Sequence, residues 1–157
     1  MGTLFDQLAF LRYVTLNTVK DINEKEAVVI PKGFNNHILW NLGHIYFVSE
    51  NFAFSSDQEQ MEMPEGFAEL FAMGTKPAEW AVKPPELSEI IEMLKNQPAR
   101  ISEKLANRLD EVAAKPFKIP GLNLTTIGEK ISFNLYHEGV HVQAIRMLKR
   151  IIDISLL

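Results

Sequence analysis

Apolar residues recur at helical spacing in four stretches of the chain. Leu4, Leu8, Leu11, Thr15, Val19 and Ile22 mark a first helix over about residues 3–22. Pro31, Lys32 and Gly33 interrupt the pattern. A second helix follows with Asn35 or Asn36 as its cap, and it runs to about Phe54, where Ser55, Ser56 and Asp57 end it. The third, over about residues 87–112, carries Leu87, Ile91, Leu94, Ile101, Leu105 and Leu109. Pro98 falls on that stripe and removes the hydrogen bond to the Leu94 carbonyl, which predicts a kink. The capping box Thr126-Ile127-Gly128-Glu129 opens a fourth helix reaching about Ile152, roughly 40 Å long at 1.5 Å per residue.

Between the second and third helices, residues 55–85 hold Pro64, Pro77, Pro84 and Pro85. So long a connection is unusual without structure of its own, and Phe67, Leu70 and Phe71 predict a short helix inside it. Phe67, Phe71 and Trp80 are the residues that could wall one end of a pocket. Residues 115–124, with Pro116, Pro120 and Gly121, read as the last loop, and no stretch reads as a strand. The expected fold is therefore all-α: one domain over residues 1–157, a four-helix bundle with a long crossover between helices two and three. Helix two is apolar around its circumference, with Ile38, Leu42, Ile45, Tyr46, Phe47 and Phe52. Either the 55–85 segment covers it or a second subunit does, and the second possibility predicts a homodimer.

Composition narrows the function. The 157 residues are 46% apolar and include no cysteine, which excludes disulfides, thiolate ligands and a cysteine nucleophile. Net charge is −4 without a Lys/Arg cluster, so a nucleic-acid footprint is missing. The start lacks a basic, apolar leader, Asp6 stands where a myristoylation signal needs Ser or Thr, and no apolar run is long enough to span a membrane. A cytoplasmic location is expected.

Four histidines carry the candidate chemistry. His137 and His141 are four residues apart on helix four, so their rings lie roughly 40° apart on one face at about 100° per residue. Arg146, Lys149 and Arg150 point the opposite way, which turns the histidines inward. An inward imidazole needs either a hydrogen-bond partner in the core or a shared metal ion. On helix two, His37 and His44 share a face with Trp40, Asn41, Val48 and Asn51. A histidine from that face, His44 first and His37 in reserve, would complete three imidazoles around one divalent cation, leaving a fourth position open as in a catalytic site. Imidazole suits zinc, nickel, iron and copper alike. His137-Glu138-x-x-His141 also matches the zinc-protease pattern, but that chemistry needs a third ligand downstream. Asp153 is the sole acid in the tail, and Ala144 and Met147 stand where the extended motif has Gly and His.

Trp40-Asn41-Leu42-Gly43-His44 on helix two, with His137-x-x-x-His141-x-Gln143 on the last helix, resembles the DinB/YfiT-like superfamily of metalloenzymes over nearly the whole chain. The resemblance implies a four-helix bundle binding one divalent metal, often nickel or zinc, through His44, His137 and His141. It also implies a dimer, and an activity among thiol-dependent transferases and hydrolases. With no cysteine in the chain, a thiol would be a low-molecular-weight co-substrate. The expected function is thus metal-dependent chemistry on a small molecule, with His37, Asn41, Asn134 and Glu138 as pocket-lining residues and Glu138 as a proton acceptor or support. The rival is a non-catalytic stress-response or binding bundle whose metal is structural or absent.

Overall fold

In a computed structural model, residues 3–155 are described, apart from 56, 58 and 59. Helix α1 spans Leu4–Val19, α2 Glu24–Ala27, α3 Ile38–Phe54, α4 Phe67–Phe71, α5 Leu87–Leu105 and α6 Ile127–Ser155, with a 3-10 turn at Pro77–Glu79. The start of α1 is fixed by a capping box in which the Thr3 hydroxyl accepts from the Asp6 N–H and the Asp6 carboxylate accepts from the Thr3 N–H. The box predicted for the last helix is present as well: Thr126 Oγ1 accepts from the Glu129 N–H at 3.2 Å, and Glu129 accepts from the Thr126 N–H at 2.9 Å. Neither Asn35 nor Asn36 caps α3. His37 does, its Nδ1 accepting from the Trp40 N–H at 3.0 Å.

The four long helices touch in a closed ring, α1 against α5 and α6, and α3 against the same two. Apolar stripes from all of them meet inside it, with Leu39, Leu42, Ile45, Leu94, Ile145 and Leu148 among the buried residues. No helix among the described residues is long and apolar enough to cross a membrane.

The expectation of no strand is overturned. The third predicted helix stops at Leu105, and Val112–Ile119 and Leu122–Thr126 form an antiparallel hairpin, β1 and β2. Pro120 and Gly121 make its turn, Gly121 taking the positive φ of 83° that a type II turn requires. Alternation could not announce these strands, because most of β1 is exposed on both faces and its register shifts between Val112 and Phe117, around Lys115 and Pro116. Phe117 anchors the hairpin, packing between Phe52 of α3 and Phe133 of α6. The molecule is mostly helical rather than all-α.

The chain itself covers helix two, which is α3: every residue from Ile38 to Tyr46 is buried within one subunit. The predicted short helix is α4, and its Phe71 ring lies against Gly43 so closely that a Cβ there would come within 2.3 Å of it. Buried Glu50 of α3 holds the same segment, accepting from the Glu62 N–H at 3.1 Å, from Gln97 Nε2 at 2.8 Å and from Arg100. The segment is thus tied to both α3 and α5, and its Phe71 carbonyl borders the site described next.

Candidate metal centre

His44 from α3 and His137 and His141 from successive turns of α6 converge, each offering a ring nitrogen, and the three nitrogens lie within 4.8 Å of one another. His44 is buried and the other two are half-buried. The Nε2 atoms of His44 and His137 are 3.2 Å apart. Two nitrogens bound to one tetrahedral zinc at about 2.0–2.1 Å would be about 3.3–3.4 Å apart, so the separation suits two ligands of one ion.

Hydrogen bonds set which nitrogen is free on two of the rings. His44 Nδ1–H donates to the Phe71 carbonyl at 2.7 Å, leaving the Nε2 lone pair facing the cluster, and Trp40 stacks on the same ring with centroids 4.7 Å apart. Asn41 Nδ2 donates to the His37 carbonyl at 2.9 Å, which turns its Oδ1 toward His141. His141 Nδ1–H donates to that oxygen at 2.8 Å and so keeps Nε2 free. A ligating histidine ordinarily donates its other N–H to a carbonyl or similar acceptor, and two of the three rings have that arrangement.

Burial holds the rings neutral. Desolvation lowers the pKa of His137 to about 4 and of His141 to about 3, helped in each case by repulsion from the neighbouring imidazoles, and it lowers that of His44. Three neutral imidazoles converging on one point, two of them with Nε2 lone pairs freed by their Nδ1–H bonds, form a donor set for a borderline divalent cation. The residues present therefore fit the metal that the sequence pattern implies.

The remaining sequence candidates occupy different places. His37 lies outside the cluster, capping α3 with its ring edge-on to Trp80 at 5.3 Å. Glu138 is fully buried and faces α1. Arg12 holds it with Nε at 2.9 Å from Oε1 and Nη2 at 3.2 Å from Oε2, and the Thr15 hydroxyl donates to Oε1 at 2.6 Å. Asn134 is buried one turn before His137 and donates through Nδ2 to Ser49 Oγ at 2.9 Å. Trp80 donates through Nε1 to the Leu70 carbonyl and sits edge-on to Phe71, the residue whose backbone carbonyl accepts from His44.

A family model, the DinB superfamily, matches residues 7–145. The chain belongs to the DinB superfamily. No curated protein matches it. In this DinB-superfamily chain the matched span contains all three clustered histidines together with Arg12 and Asn134.

Arg12, Ser49 and the Phe71 carbonyl are the functional groups that sequence reasoning missed. Arg12 had a signal: α1 buries Leu8, Arg12, Thr15 and Val19, so a stripe drawn through Leu11 passes over a cation at a core position. A backbone carbonyl carries no signal in the sequence at all.

Proposed function

We propose that the protein is a metal-dependent enzyme acting on a small molecule, by thiol-dependent transfer or by hydrolysis, with one divalent cation, nickel or zinc, held by His44, His137 and His141. The observation that supports this reading is the pair of second-layer bonds, His44 to the Phe71 carbonyl and His141 to Asn41, which orient two Nε2 lone pairs toward the third ring. When bound, such a cation acts as a Lewis acid that lowers the pKa of a water or thiol beside it. The protein's part is to exclude charge from the ligands, keep them neutral and hold them in register. With no cysteine in the chain, any thiol is a free, low-molecular-weight co-substrate. The buried pairing of Glu138 with Arg12 favours a supporting role for that carboxylate over proton transfer.

The ring of four long helices supports a single four-helix-bundle domain with the 55–85 segment as its crossover. A cytoplasmic homodimer goes with this reading. Because α3 is covered by its own chain, the dimer contact moves to α6, where Tyr136, Val140, Met147 and Ile151 form one exposed apolar stripe.

The test is elemental analysis of protein purified without a His tag, followed by cobalt substitution and addition of millimolar thiol. One nickel or zinc per chain and a change in the cobalt visible spectrum support metal-centred thiol chemistry. A chain that takes up no divalent metal would end the proposal, and bound cobalt indifferent to thiol would leave hydrolysis.

A further inference from the structure

The third ligand ring lacks what the other two have. His137 Nδ1 is buried and has no hydrogen-bond partner, and so is Oδ1 of Asn134, one helical turn earlier on α6. Two buried polar atoms without partners, one turn apart on one helix, are costly unless some state of the protein satisfies them. In the arrangement seen, His44 Nε2 carries a lone pair because its Nδ1 donates to Phe71, so His137 Nε2–H must be the donor across the 3.2 Å contact. His137 Nδ1 is then an acceptor and can make nothing of an amide oxygen. Coordination through Nε2 reverses this: the ring stays neutral, its single proton sits on Nδ1, and Nδ1–H becomes a donor in need of an acceptor.

We infer that Asn134 is the positioning residue for His137, its Oδ1 accepting the Nδ1–H of the metal-bound tautomer while its Nδ2 remains on Ser49. This rests on the three-histidine reading above. It completes a common scheme in which each ligand ring is steadied by one oxygen: the Phe71 carbonyl for His44, Asn41 for His141 and Asn134 for His137. Ser49 Oγ also accepts from Arg12 Nη2 at 3.3 Å, which ties the amide to the buried Arg12–Glu138 pair and limits its freedom to turn away.

Zinc affinity of the full-length protein, measured by competition with a chelator, tests the inference for wild type, Asn134→Leu and Asn134→Asp. Loss of a second-layer acceptor weakens metal binding by about 10- to 100-fold, so Asn134→Leu should fall in that range, while Asn134→Asp, which keeps an acceptor oxygen, should bind at least as tightly as wild type. Cobalt-loaded protein gives a readout that packing alone does not move. Each coordinated imidazole contributes one paramagnetically shifted, exchangeable N–H resonance, and the His137 signal should exchange rapidly in Asn134→Leu while those of His44 and His141 persist. Wild-type affinity and all resonances retained in Asn134→Leu would overturn the inference, as would a tenfold loss in Asn134→Asp. A wild-type protein that binds no zinc would instead remove the metal reading on which it rests.

Discussion

His44 reaches the carbonyl of Phe71 across 2.7 Å, and it can do so because residue 43 has no side chain. A methyl group on Gly43 would meet the Phe71 ring at 2.3–2.6 Å and push α4 away from α3. Gly43→Ala should therefore lower stability by about 1–3 kcal/mol, the usual cost of overpacking a core. It should also weaken metal binding about tenfold or more by removing the acceptor of His44 Nδ1. Urea unfolding and metal titration of the same preparation check both effects, and a variant with wild-type metal affinity would show that the carbonyl does not steady the ligand.

Replacing His44, His137 or His141 singly by Ala should reduce metal affinity by orders of magnitude, since each removes one of three donors. His37→Ala should leave affinity nearly unchanged and cost about 1 kcal/mol of stability through loss of the α3 cap. Binding abolished by His37→Ala and spared by His44→Ala would mean that the donor set is wrongly assigned.

Arg12 and Glu138 should be worth more together than apart. Arg12→Met strands a buried carboxylate and the Leu94 carbonyl, and is expected to cost about 3–5 kcal/mol in urea unfolding. Arg12→Met combined with Glu138→Leu should recover a substantial part of that loss, because no charge is then left unpaired. A double variant no more stable than Arg12→Met would contradict the pairing.

Acid should weaken the metal-free protein in a defined window. Burial holds His37 at a pKa of about 4, against 6.5 for the exposed ring. Above pH 6.5 neither state carries the proton. Between pH 6.5 and 4 the unfolded chain binds a proton that the folded protein refuses, so stability falls as pH falls, by about 2–3 kcal/mol from this group. His137 and His141 add to the slope in the same direction. His37→Asn, which keeps a capping side chain, should flatten the dependence, and equal slopes for the two proteins would exclude His37 as a contributor.

Periodicity revealed the four long helices, and the i, i+4 spacing revealed that His137 and His141 share a face, because both follow from the geometry of a single helix. The capping box at Thr126 and the short helix at Phe67 were visible for the same local reason. What stayed hidden depends on partners far along the chain. Arg12 and Glu138 are separated by 126 positions, and His141 and Asn41 by 100. The hairpin carries no periodic signal because most of β1 is exposed on both faces. The face shared with His44 makes His37 a reserve ligand, whereas its Nδ1 turns back to the Trp40 amide and the clustered rings are the other three.

Pro98 lies inside α5 and has no N–H to offer the Leu94 carbonyl, and Arg12 Nη1 fills that gap at 2.6 Å. The same guanidinium reaches Ser49 on α3 and Glu138 on α6 from its own place on α1. Four helices thus share one cation. Lifting any of them away from the others strands a charge or a carbonyl in the interior, so a small, local opening is penalised almost as heavily as a large one. Amide protons near Arg12, Ser49, Leu94 and Glu138 should consequently exchange at a common, slow rate set by global unfolding, while the exposed hairpin exchanges on its own.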